Sequence, residues 1–136
     1  MTAFFFSLHS YSDWALLFLR LVLAAIFFVH GRSKWAMWKP QPAGSPANPM
    51  AGVMKLLSIC EPLGALAMVS GFLTQLAALG FCLIMLGATY LKITKWKTPF
   101  FAHDKTGWEL DVLILASSFL LVIMGAGRFS LDSIWV

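Results

Sequence analysis

Four apolar stretches divide the sequence: Trp14–Gly31, Val53–Phe72, Leu76–Ile93 and Trp108–Ala126. Each has the length of a membrane crossing, since a hydrocarbon core of about 30 Å takes about 20 helical residues, with about 17 to 25 in practice. The alternating polarity of barrel strands is nowhere in the sequence. Lipid offers no partner to unpaired backbone groups, which leaves the helix as the spanning element. The sequence therefore predicts an all-α integral membrane four-helix bundle, with residues 1–136 as a single domain. Composition removes the alternatives. The chain is 60% hydrophobic and 12% charged, against about half and about a quarter in a soluble domain. A domain this small buries too little surface to hide that excess, and disorder requires the opposite balance.

The connections set the orientation. Residues Met1 to Asp13 hold no Lys or Arg, so the charged leader of a cleaved signal peptide is missing and the first helix is expected to be retained. Phe4, Phe5 and Phe6 are expected to anchor in the headgroup zone. Arg32 to Gly52 form a long first loop whose K-P-Q-P-A-G-S-P-A-N-P run cannot be helical throughout. A tight hairpin follows near Leu73–Gln75, then a basic loop from Lys92 to Gly107. Arg32, Lys34, Lys39 and Lys55 flank the first loop and Lys92, Lys95, Lys97 and Lys105 the third, whereas the opposite side offers Arg128. The positive-inside rule places both basic loops in the cytoplasm and both termini outside, in a bacterial inner membrane. Trp35, Trp38, Trp96 and Trp108 fall at the inner boundary and Trp14 and Trp135 at the outer one, as interface anchors should. The +4 net charge thus reports orientation, not a nucleic-acid surface.

Ionisable residues inside the apolar segments are the informative exceptions, because each costs roughly 2.5–3.5 kcal/mol to insert. They are Arg20, Glu61 and, more marginally, Glu109 and Asp111. Helical rise puts Glu61 on the order of 10 Å from the cytoplasmic end and Arg20 roughly 18–20 Å from it. His30 and Lys34 share a face one turn apart. Arg20, His30, Lys34, Glu61 and Glu109 are expected to form an inward-facing polar cluster in the cytoplasmic half, with Glu61 against Arg20 or His30 and Glu109 against Lys34. Two readings stay open: an ion-pair network that fixes packing, or a ligand site with a group that titrates near neutral pH. Pro62 lacks the N–H that would bond the Ser58 carbonyl, so it is expected to kink its helix and free an acceptor one turn from Glu61.

The remaining polar signals carry less. Gly64, Ala67, Gly71, Gly80 and Gly87 recur at helical spacing and permit close helix approach. Met54, Met68, Met85 and Met124 fit core filling. Cys60 and Cys82 lack C-x-x-C spacing, and His9, His30 and His103 lack ligand spacing, so no metal site is expected. Glycine-rich phosphate loops, haem-attachment motifs and nucleophile–base arrangements are absent.

L-R-L-V-L-A-A-I-F-F-V-H-G-R-S-K (Leu19–Lys34) resembles the opening helix of the DoxX family of small four-helix membrane proteins. The run E-P-L-G-A-L-A-M-V-S-G-F-L-T-Q-L-A-A-L-G (Glu61–Gly80), G-W-E-L (Gly107–Leu110) and G-A-G-R-F-S-L-D (Gly125–Asp132) extend the resemblance over nearly the whole chain. The family's recurring polar positions match Arg20, His30, Gly31, Lys34, Glu61, Gly64, Glu109 and Arg128. Two departures stand out: the proline-rich Pro40–Pro49 loop is longer than the common form, and the membrane C-x-x-C pair of the vitamin K epoxide reductase kind is lacking.

The resemblance implies a membrane subunit of a redox or oxidative-stress system, an accessory to an oxidoreductase with a cytoplasmic or membrane redox partner. A quinone or similar small lipid would be the ligand at the Arg20–His30–Lys34–Glu61–Glu109 cluster. Two other classes fit the same residues. One is a small-solute or proton-coupled carrier, for which four short helices would need a homo-oligomer. The other is a non-catalytic scaffold that docks a cytoplasmic partner through Trp38, the proline-rich segment and Lys92–Lys97.

Overall fold

The structure is a computed structural model, and it describes residues 7–40, 48–101 and 106–135. Phe4–Phe6, most of the proline-rich loop, His103 and Lys105 lie outside the described residues. Helix α1 runs Ser12–Ser33, framed by 3-10 turns at His9–Tyr11 and Lys34–Trp38. Helices α2 (Ala51–Ser70), α3 (Thr74–Thr94) and α4 (Glu109–Met124) follow, then a four-residue α5 (Asp132–Trp135). No strand occurs among the described residues. The four long helices lie where the apolar stretches place them, with ends shifted by about half a turn or less. Three segments, His9–Trp38, Ala51–Ser70 and Thr74–Thr94, are long and apolar enough to cross a membrane. Helix α4 has 16 residues, or roughly 24 Å at helical rise.

Helix α1 packs most extensively on α2, and α3 on α4, while α2–α3 and α1–α4 contacts complete the bundle. Phe27 of α1 and Phe81 of α3 stack at its centre, with ring centroids 3.5 Å apart and planes 7° from parallel. Leu23, Met68, Met85, Ile114 and Leu121 fill the space around them. Close approach depends on missing side chains. A Cβ at Gly64 would lie 2.6 Å from Phe81 Cε1, and one at Gly31 would lie 2.4 Å from Pro62 Cδ. The outside is as apolar as the inside: Phe18, Val29, Leu66, Leu76, Leu83, Leu113 and Ile123 are all exposed. A soluble monomer rarely carries such continuous apolar surface, and a bilayer covers it without penalty. The molecule is an all-α membrane bundle.

The α2–α3 turn needs two left-handed residues, Gly71 (φ +68°) and Leu73 (φ +52°). The Phe72 N–H closes the end of α2 on the Ala67 carbonyl at 3.1 Å. At the start of α3, the Asp132 carboxylate accepts the Leu73 and Thr74 N–H groups at 2.7 and 2.9 Å. That arrangement satisfies orphan donors and places negative charge at the positive end of the helix dipole.

Candidate functional site

The two ends of the bundle hold two separate polar assemblies, and the five residues expected to cluster do not meet: Arg20 lies in one, Lys34 and Glu61 in the other, and His30 and Glu109 stand apart. Arg20 belongs to the α2–α3 turn end. It is fully buried, and its guanidinium donates to main-chain carbonyls instead of a carboxylate. Nε reaches Met68 O at 2.9 Å and Nη1 reaches Ala126 O and Phe129 O at 2.8 Å each. Nη2 adds a 3.3 Å bond to Val69 O. These oxygens come from the last turn of α2 and the segment after α4, where helix carbonyls lack intrahelical partners and the dipole is negative. Gly71 makes the fit possible, because a Cβ there would lie 2.5 Å from Arg20 Nη2. Nearby, the Arg128 N–H donates to Asp13 at 2.9 Å and the Asp132 N–H to Gly71 O at 2.8 Å. Arg20 is a knot between helix ends. The expected pairing with Glu61 is not formed, because Arg20 precedes Lys34 by roughly 20 Å of helix.

Glu61 pairs with Lys34 instead. Lys34 Nζ lies 2.5 Å from Glu61 Oε2, with the side chains 18% and 2% exposed. The 3-10 turn after α1 delivers that lysine, and α2 holds the turn. Pro62 leaves the Ser58 carbonyl without its intrahelical donor, and the indole N–H of Trp35 takes that place at 3.0 Å. Trp38 donates to Ser58 Oγ at 2.9 Å, and that hydroxyl donates on to Lys55 O at 2.7 Å. Lys55 Nζ stands 5.3 Å above the Trp38 ring. The freed acceptor is thus where the sequence predicts it, and α2 continues through Pro62 as one helix, Ala51–Ser70.

The ion pair forms part of the wall of a cavity of about 440 Å³ between the first half of α2 and the second half of α3. Apart from Lys34 and Glu61 the lining is apolar, with Met54, Leu57, Ile84, Ala88, Leu91 and Trp96 contributing. Leu83 and Gly87 also line it and are exposed, so the cavity opens sideways through the lipid-facing surface. Ligand sites of roughly 300–1,000 Å³, mostly apolar with a few placed polar groups, are typical for small molecules.

The other predicted members stand apart from this pair. The His30 imidazole is exposed, while its carbonyl accepts Lys34 Nζ at 3.3 Å. Glu109 opens α4 half-buried and makes no ion pair among the described residues. It is Asp111 that pairs, with Lys92 at 2.9 Å, and Lys92 also donates to Gly107 O at 3.3 Å. Of the tryptophans, Trp14 packs on Phe129 (4.4 Å between centroids) and Trp108 meets Phe100 edge-on (4.5 Å). Trp135 lies at the end of α5. Sequence reasoning missed Asp132 as the cap of α3, Asp13 as the acceptor of the Arg128 N–H, the Lys92–Asp111 pair, and the indole bonds of Trp35 and Trp38. The one available signal was the carbonyl that Pro62 frees, which calls for a nearby donor.

Comparison with known proteins places the chain in a family. A relative from Haemophilus influenzae, named only as an uncharacterized protein, is 26% identical over 127 residues, covering 93% of this chain and 95% of its own. "Putative oxidoreductase CatD" of Bacillus subtilis is 30% identical over 118 residues, covering 85% of this chain and 83% of its own. No solved structure matches the chain. The DoxX family model matches residues 15–103, a segment that contains Arg20, Lys34, Glu61 and the cavity between α2 and α3. The chain belongs to the DoxX family.

Proposed function

We propose that this protein is the membrane subunit of a redox or oxidative-stress system and binds a quinone, or a similar ring-bearing lipid, in the cavity between α2 and α3. One observation carries the reading: a buried carboxylate, Glu61, paired with the half-buried Lys34 in an otherwise apolar cavity that opens towards lipid. An ion pair that only glued helices would contribute about 0.6–2 kcal/mol, which barely offsets its insertion cost. As part of a ligand site the same pair has work to do. The Lys34 ammonium donates a hydrogen bond to a ring carbonyl oxygen and is the proton donor that reduction of that oxygen requires, and the Glu61 carboxylate holds the ammonium in place. The electrons come from a redox partner. The name of the Bacillus subtilis relative supports the oxidoreductase setting.

In this reading the chain crosses the inner membrane four times, with the loops after α1 and α3 in the cytoplasm and both termini outside. Helix α4, shorter than the bilayer core, is accommodated by Trp108 at one boundary and local thinning of the bilayer.

The test is direct. Protein purified from native membranes is extracted and its lipids assayed for quinone, and a short-tailed quinone is titrated while tryptophan fluorescence is followed, since Trp96 lines the cavity. Saturable quenching that is lost in Glu61→Gln is expected. If no quinone co-purifies and none binds on titration, the reading fails.

A further inference from the structure

The basic end of the bundle carries more charge than its ion pairs use. Lys34 and Lys92 are neutralised by Glu61 and Asp111. Arg32, Lys39, Lys95 and Lys97 remain exposed and make no ion pair among the described residues, with Glu109 as the remaining acid described at this end. Three half-exposed tryptophans, Trp35, Trp38 and Trp96, stand among these cations. Trp96 and Lys34 line the same cavity, so the turns after α1 and α3 meet at one rim.

The turn after α3 has a backbone peculiarity. The Lys95 and Trp96 N–H groups both close on Leu91 O at 2.9 and 3.0 Å, and the Thr98 N–H closes on Lys92 O at 2.9 Å. That wrapped helix end puts Lys97 at φ +47°, a conformation in which glycine is the favoured residue and an L side chain is strained. Thr98, next to it, is buried and fixes the turn. The strain is retained at a residue whose side chain projects a cation, and strain of this kind clusters where a ligand is met. The surroundings define the ligand. Tyr90, Ile93 and Phe100 are exposed beside the cations, a mixture of aromatic, aliphatic and basic groups that suits the headgroup layer of a bilayer rather than the face of a water-soluble protein.

We propose that the rim formed by Arg32, Lys39, Lys95, Trp96 and Lys97 is a binding surface for anionic phospholipid headgroups. Lys95 and Lys97 meet the phosphate, Trp96 lies along the glycerol level, and the acyl chains follow the apolar flank of α3. The site is independent of whether the neighbouring cavity holds a quinone.

Native mass spectrometry of the full chain in detergent tests this, with dioleoylphosphatidylglycerol and dioleoylphosphatidylcholine titrated in parallel. The wild type is expected to retain the anionic lipid preferentially. The Lys95→Gln, Lys97→Gly double variant, which removes two cations and the backbone strain together, is expected to lose about 25-fold in that preference. Its thermal stability should be no lower than the wild type's, which separates lost binding from lost folding. Equal retention of the two lipids by the wild type overturns the proposal, as does an unchanged preference in a folded double variant. Variant-sensitive binding of poly-glutamate without any lipid preference also overturns it, and assigns the rim to an acidic protein partner.

Discussion

Glycines that look alike in the sequence should respond in opposite directions to the same substitution. Gly87 sits in the interior of α3 with no atom within 4 Å of where a Cβ would lie, because it faces the open cavity. Alanine there gains helix propensity worth about 0.8–1 kcal/mol and meets nothing. Gly31 presents the reverse case, with Pro62 Cδ, Pro62 Cγ and Glu61 Cβ at 2.4, 2.6 and 3.1 Å. Two of these atoms belong to a rigid ring, so α1 and α2 must separate, at an overpacking cost of about 1–3 kcal/mol. Gly64→Ala meets Phe81, which is 2% exposed and stacked on Phe27, and so cannot swing aside. Thermal unfolding of the three alanine variants in one detergent, followed by circular dichroism, reads the order directly. Gly87→Ala should rise by roughly 3–5 °C, and Gly31→Ala and Gly64→Ala should fall by at least as much. Gly87→Leu extends the test to function: it fills the cavity from a position that tolerates a side chain, so quinone binding should drop more than tenfold while the melting temperature is kept. Stabilisation of Gly31→Ala, or full quinone binding by Gly87→Leu, would refute the packing around the cavity.

Other consequences can be measured separately. Arg20→Met strands the carbonyls of Met68, Ala126 and Phe129 in a buried site, and should cost on the order of 3–5 kcal/mol in detergent unfolding. Arg128→Met, which leaves its N–H bond to Asp13 intact, should change stability by less than about 0.5 kcal/mol. Lys34→Met alone leaves Glu61 buried and uncompensated, so a chemical melt should show it less stable than the Lys34→Met, Glu61→Met double variant. Trp35→Phe removes the donor to Ser58 O and should cost about 1 kcal/mol. In a Pro62→Ala background that carbonyl regains a helical N–H, and a double-mutant cycle should show the cost largely gone.

The ends of the helices follow from counting along the sequence. The expected cluster does not: the same counting separates Arg20 from Lys34 by roughly 20 Å of helix, and Arg20 bonds at the other end of the bundle. Partner choice depends on azimuth and on loop paths. Glu61 meets Lys34 because a 3-10 turn swings the lysine back across α2, and nothing in the spacing of 34 and 61 specifies that turn. Arg20 was legible as an expensive buried cation, yet its ligands are main-chain oxygens, which carry no residue-type signal. Asp111, as marginal by position as Glu109, forms an ion pair, whereas Glu109, two residues earlier, forms none among the described residues. Lys97 in a left-handed turn is likewise invisible to a reading that expects glycine there.

The Arg20 knot also has a consequence for how the protein is made. Two of its four acceptors, Ala126 O and Phe129 O, lie 106 and 109 residues downstream. At about 5–20 residues per second, a ribosome takes roughly 5–20 s to supply them after Arg20 has been synthesised. Through that interval the first helix holds a guanidinium whose set of ligands is incomplete, with Met68 O and Val69 O made early and the other two still missing, next to lipid that offers none. It should therefore enter the bilayer hesitantly or remain beside the translocon, and settle only when the segment after α4 arrives. The segment from Gly125 to Asp132 thus acts as the latch of biogenesis, and a nascent chain stalled before it should leave its first helix accessible from the aqueous side.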